Sequence, residues 1–120
     1  QRLTDFVWTW AANEPNNYGG NEDCATMHFG LWNDDNCNSR HQYSCKNSSG
    51  EWKVTQANGP WNNGMAECSR EFGSQFKFAS PATATEKQKL FDTKMQSNKN
   101  VKAWIAANDR AREGAWTFQP

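Results

Sequence analysis

Apolar and polar positions fall into two textures along the chain. Residues 1–46 hold short apolar runs separated by Asn, Gly, Asp and Pro, a pattern that predicts strands joined by turns. The strands are expected at Asp23 to Phe29, Leu31 to Asn33 and His41 to Lys46. Residues 51–98 carry helix signals instead. Pro60 suits the first turn of a helix beginning near Asn58-Gly59-Pro60, since a proline lacks only an N–H that has no partner there. Trp61, Met65, Cys68 and Phe72 then recur at helical intervals, which predicts one core-facing stripe, and Gly73 is a natural stop. Thr83 and Glu86 have the spacing of a capping box. A second helix is expected from there to about Gln96, burying Leu90, Phe91 and Met95 and ending at Ser97-Asn98. Val101 to Ala107 alternates as a strand, and Ala115 to Phe118 reads as another. No internal repeat or low-complexity tract interrupts the chain, and Asn47-Ser48-Ser49-Gly50 reads as a turn rather than a linker.

Composition changes the kind of core to expect. The 120 residues include only seven Val, Ile and Leu but sixteen Trp, Phe and Tyr. Each buried aromatic removes roughly 150–250 Å² from water, so an aromatic core can replace the missing aliphatic one in a single domain of this size. Thirteen basic residues match thirteen acidic ones, which argues against a general nucleic-acid or anionic-membrane binder. The apolar stretches are too short to span a bilayer, and no signal-peptide pattern opens the sequence. Cys24, Cys37, Cys45 and Cys68 form an even set in a small chain, which points to disulfides and an oxidising compartment. Zinc competes poorly, because no CxxC or HxxxH pair is present. Asn47-Ser48-Ser49 is also a glycosylation sequon.

The candidate chemistry lies between residues 14 and 34. Glu14-Pro15-Asn16-Asn17, Glu22-Asp23-Cys24 and Trp32-Asn33-Asp34-Asp35 gather carboxylates and amides without an imidazole. Hard oxygen donors of this kind suit calcium, which takes about six to eight of them, and they would serve zinc or copper badly. Taken singly, each Asn or Asp would read as an ordinary turn residue. His28 and His41 are the only histidines, and no serine or cysteine sits in a recognisable nucleophile motif, so an enzyme is not expected.

The order of these blocks resembles the second half of a C-type lectin carbohydrate-recognition domain: Glu-Pro-Asn, Glu-Asp-Cys, Trp-Asn-Asp, Cys, then Tyr-Ser-Cys. Trp61 to Cys68, Phe78-Ala79-Ser80-Pro81, Glu86, Trp104-Ile105-Ala106 and Glu113-Gly114-Ala115-Trp116 are similar to that family's first half. The family runs the other way round, so the chain resembles a circular permutant. Its residues 1–46 are the family's second half, 47–50 the junction turn and 51–120 the first half, all in one domain. The implied fold is α+β, with two helices flanking short antiparallel sheets and long calcium-binding loops. A domain-swapped pair of chains is the alternative way to rebuild it.

The resemblance also implies a function, a site and a setting. Cys24 is expected to pair with Cys37, and Cys45 with Cys68. Glu14, Asn16, Glu22, Asn33 and Asp34 become the principal calcium ligands and the sugar contacts, with Tyr18 as a rim contact. Asn17, Asp23, Asp109 and Glu113 become an auxiliary calcium site, although Asn17 stands where a carboxylate is usual. The Glu14–Pro15 bond is expected to be cis. The Glu-Pro-Asn class binds glycans with equatorial vicinal hydroxyls or an equivalent pair, as in mannose, glucose, N-acetylglucosamine or fucose. A secreted, extracellular protein follows, with no membrane insertion and no nucleic-acid partner. Oligomerisation stays open, since no heptad neck is present. The alternative within the same fold is a domain that binds protein, mineral or ice without sugar.

Overall fold

The computed structural model describes residues 24–28, 31–95, 102–108 and 117–118. Among them are seven strands: β1 (Cys24–His28), β2 (Leu31–Asp35), β3 (Gln42–Lys46), β4 (Trp52–Val54), β5 (Lys77–Phe78), β6 (Lys102–Asn108) and β7 (Thr117–Phe118). The helices are α1 (Gly64–Phe72), entered through a 3-10 turn at Trp61–Asn63, and α2 (Ala84–Leu90), continued by a π turn at Phe91–Met95. The main strand order is β2-β1-β6-β3-β4. β5 pairs with β3, and β7 with β6. All pairings are antiparallel except β3 with β6, where Gln42 lies opposite Ala103 and Tyr43 opposite Trp104. A parallel pair needs a long crossover, and both helices fall between these two strands in sequence. The arrangement is the expected α+β class, with a mixed sheet.

Strand β6 is the middle of the molecule, and its alternation explains the two-sided core. Ala103, Ile105 and Ala107 join a cluster with Ala25, Met27, Trp32, Trp52, Val54 and Leu90. Trp104 and Ala106 point the other way, into a cluster with Tyr43, Trp61, Cys68, Phe76 and Phe78. Residues 103–107 are at most 2% exposed, as a strand packed on both faces must be. The aromatic core expected from composition is present: Trp32, Trp52, Trp61 and Trp104 are all buried. Trp61 Nε1 donates to the Ile105 carbonyl at 2.9 Å, and Trp104 Nε1 to the Gly59 carbonyl at 2.8 Å. Their burial therefore leaves neither indole N–H without an acceptor. The Tyr43 hydroxyl donates to the Pro60 carbonyl at 2.7 Å. Burial, with the nearby charge of Glu67, pushes the Tyr43 phenol up to about 12.

The first helix departs from the expected stripe. Pro60 stands just outside it with φ −70° and ψ 158°, and the chain enters through the 3-10 turn. At about three residues per turn, that segment brings Trp61 and Gly64 into line. The α-helical continuation then adds Cys68 to the buried face, and Met65 rotates out to 36% exposure. Gly64 is required there, because a Cβ would lie 2.3 Å from the Phe78 ring. Gly73 ends the helix at φ 100°. In α2 the Thr83 hydroxyl accepts from the Glu86 N–H at 3.1 Å, as its cap spacing requires. The Glu86 carboxylate reaches past the cap residue to the Ala82 N–H at 2.9 Å and pairs with Lys46 Nζ from β3. Leu90 is fully buried and Phe91 half-buried. The expected stop at Ser97-Asn98 lies outside the described residues.

Both disulfides of the expected pairing are closed, Cys24–Cys37 and Cys45–Cys68. The Asn47–Gly50 segment turns β3 back into β4 as an antiparallel hairpin, with Lys46 opposite Trp52. Asn47 and Glu51 are joined by a backbone bond of 3.1 Å, and Gly50 takes φ 84°. That positive φ is why glycine ends the turn.

Candidate functional site

Two candidate ligands fall among the described residues, Asn33 and Asp34, and both lie on β2. Opposite them on β1 stand Thr26 and Ala25, and the next pair in the ladder is Cys24 with Asp35. The Thr26 hydroxyl donates to the Asn33 carbonyl at 3.4 Å. Asp34 is 4% exposed. Asp, rare in strands, is held here by the ladder and by the neighbouring disulfide, so β2 runs two residues past its expected end at Asn33. Cys24 is paired on its other side with Asn108, the last residue of β6. The start of β1, the end of β2 and the end of β6 therefore meet at one end of the sheet. Glu14, Asn16, Asn17, Tyr18, Glu22, Asp23, Asp109 and Glu113 lie outside the described residues, as does the Glu14–Pro15 bond.

The turn after β2 is tied down by Asp35. One of its oxygens accepts from the Asn36 N–H at 2.7 Å and from the Ser39 hydroxyl at 3.4 Å. The other lies 2.6 Å from His41 Nε2. The His41 ring stands edge-on to Trp104, with centroids 4.7 Å apart and planes at 75°. His41 also forms an isolated bridge to Gly59. Burial pushes the Asp35 carboxyl up, but the His41 hydrogen bond, the Asn36 N–H and the charges of His41 and Lys102 together outweigh it. The carboxyl is held below its ordinary 3.8. An ionised Asp35 can only accept, so His41 Nε2 carries the proton between them. Sequence reasoning missed this pair, because a six-residue separation across a turn has no periodic signature.

The sign of that shift gives a prediction. A carboxyl with a depressed folded value contributes stability that is complete above pH 3.8 and is lost as the pH falls through the lower folded value. With chelator present, wild type should exceed Asp35→Asn by about 1 kcal/mol at neutral pH, a partly exposed charge-assisted bond. The gap should close in acid, where the protonated carboxyl resembles the amide. Paired thermal melts across the range check this, and a gap independent of pH would contradict it.

The donor chemistry on β2 fits calcium. Asn33 and Asp34 offer an amide and a carboxylate oxygen, the hard donors that ion takes. His41 engages the adjacent Asp35, and both cysteines nearby, Cys24 and Cys37, are oxidised, so no thiolate competes. Among the described residues no three His, Cys, Asp or Glu side chains stand together to hold a metal. Any complete site therefore draws on further residues.

Known proteins supply the remaining comparison. Residues 2–47 match the family described as the Lectin C-type domain. CD209 antigen of Gorilla gorilla gorilla is 37% identical over 83 residues, covering 69% of this chain and 15% of that protein. CD209 antigen of Homo sapiens is also 37% identical over 83 residues, covering 69% of this chain and 16% of its own length. Lectin BRA-3 of Megabalanus rosa is 40% identical over 47 residues, covering 36% of this chain and 28% of that lectin. The chain thus spans about a sixth of the CD209 antigens it matches. No solved structure matches it. Two helices on a mixed sheet, two closed disulfides and these similarities agree: the chain belongs to the C-type lectin domain family, whose members are binding domains rather than enzymes.

Proposed function

We propose that the chain is a calcium-dependent sugar-binding domain, with Glu14, Asn16, Glu22, Asn33 and Asp34 as the ligands of its principal ion. The observation that carries this reading is the meeting of three strand ends at Cys24, Asp35 and Asn108. Glu22 and Asp23 immediately precede β1 in sequence, Asn33 and Asp34 lie within β2, and Asp109 follows β6 directly. One end of the sheet thus gathers the chain positions flanking most of the oxygen donors. That supports the principal site, and it supports an auxiliary one drawn from Asn17, Asp23, Asp109 and Glu113.

When bound, calcium supplies a Lewis-acidic centre with coordination positions left for two vicinal sugar hydroxyls. The chain's own groups choose the sugar. Glu14 and Glu22 can only accept, whereas the amides of Asn16 and Asn33 can donate. Each hydroxyl can therefore give its proton to a carboxylate and accept from an amide, an alternation suited to the equatorial pairs of mannose, glucose or N-acetylglucosamine. The carboxylates hold the ion, and Tyr18 is a candidate rim contact. The lectin names among the relatives and the two disulfides support an extracellular glycan binder.

The two halves are proposed to run in permuted order, joined through the β3–β4 hairpin. Residues 47–51 connect neighbouring antiparallel strands, which is the geometry such a junction needs. An ion that binds only the folded chain must stabilise it by mass action. Millimolar calcium should therefore raise the melting temperature of wild type, and the rise should shrink sharply in Asp34→Asn. Differential scanning calorimetry with and without chelator reads both, and an unchanged wild-type melting temperature would refute calcium binding.

A further inference from the structure

We propose that Asn47 is an N-linked glycosylation site, placed at the end of the strand order opposite β2. Asn47-Ser48-Ser49 is the chain's single Asn-X-Ser/Thr sequence with X other than proline, and the geometry of its turn is what turns a common motif into an acceptor. Asn47 Oδ1 accepts from the Ser49 N–H at 3.0 Å and from the Glu51 N–H at 2.9 Å. Both bonds use the carbonyl oxygen, which a glycosylated amide keeps. The reacting atom, Nδ2, has one partner, Glu51 Oε1 at 3.3 Å. Glu51 is 57% exposed, and Ser48 and Ser49 are exposed as well. Nδ2 carries two hydrogens. Replacing one with a sugar leaves the carbonyl oxygen untouched, so the two bonds to Oδ1 that hold the turn survive the modification.

The reaction needs a polyprenyl-pyrophosphate-linked oligosaccharide as donor. Nδ2 forms a bond to the anomeric carbon of the first sugar and loses one proton. The bond from that carbon to the pyrophosphate oxygen breaks, and the polyprenyl pyrophosphate leaves with the electron pair. The two closed disulfides indicate passage through an oxidising compartment, where such transfer takes place. Position favours tolerance. The hairpin carrying Asn47 is at the β4 end of the order β2-β1-β6-β3-β4, so β6 and β1 stand between the strand that leads into Asn47 and the edge carrying Asn33 and Asp34. Glycine at position 50 adds room at the tip, since a Cβ there would meet nothing nearer than Lys89 Nζ at 3.9 Å.

Two serine variants separate the modification from the turn. Ser49 serves the turn through its backbone N–H, so Ser49→Ala keeps that bond while removing the sequon hydroxyl. Ser48→Ala makes the same chemical change at the permissive middle position. Secreted from a eukaryotic host, wild type and Ser48→Ala should both carry heterogeneous added mass. An amidase that cleaves the Asn–glycan bond should remove it, leaving an aspartate at this position in the mapped peptide. Ser49→Ala should be secreted at the bare polypeptide mass. Wild-type protein secreted with an unmodified Asn47 peptide would overturn the proposal, as would added mass that persists in Ser49→Ala.

Discussion

Trp104→Ala should lower stability by about 3–5 kcal/mol and the melting temperature by roughly 10–20 °C. Trp104 is fully buried on β6 and is paired with Thr26 of β1 and Tyr43 of β3. The substitution empties the centre of the second core cluster. It also leaves the Gly59 carbonyl without its indole donor and strips His41 of its edge-on ring. With few aliphatic side chains nearby, the cavity cannot be filled by a modest shift of leucine or isoleucine. Whole-domain stability is typically about 5–15 kcal/mol, so a loss of this size removes much of it. Trp104→Phe should fall between the two, keeping a ring but losing the bond to Gly59. Thermal and urea unfolding measure all three, and a change below about 1 kcal/mol for the alanine variant would contradict this account of the core.

Changing Glu14→Gln and Asn16→Asp together should move sugar preference from mannose toward galactose while calcium binding survives in weakened form. The pair still leaves three carboxylates among the proposed ligands, but the accepting and donating sides are exchanged. Either change alone should do worse than both, because two like groups then compete for one hydroxyl role. Losing one hydrogen bond to a charged group costs about 1.5–3 kcal/mol, enough for at least about a tenfold drop in affinity. Competition with free monosaccharides at saturating calcium reads the preference. A double variant that binds calcium and still prefers mannose would sink this mechanism of choice.

What the sequence made legible follows from the range of each interaction. The alternation in β6 and the Thr83 cap depend on near neighbours, and both are present within a residue or so of where the pattern put them. The missed features depend on distant partners. Trp52–Val54 is too short to announce itself as a strand, and it exists because β3 pairs with it. Lys77–Phe78 is a strand for the same reason. Met65 fits the helical stripe, yet the 3-10 entry shifts the phase and presents Gly64 to Phe78 instead. Glu86 reaches Ala82 and Lys46 because β3 supplies a cation across the fold. His41 gave no local sign of its role, which needs Asp35 and Trp104 brought together. Of the site itself, Asn33 and Asp34 were legible as hard donors, whereas the convergence of the ends of β1, β2 and β6 needed the strand order.

The central claim is that sugar is held through calcium, and retention on immobilised sugars tests it most directly. Wild-type protein should be retained on a mannose resin in millimolar calcium, pass through a galactose resin, and elute from mannose on addition of a chelator. Acid should elute it as well, since protons compete with the ion for Glu14, Glu22 and Asp34. Retention on mannose that persists in excess chelator would contradict the account.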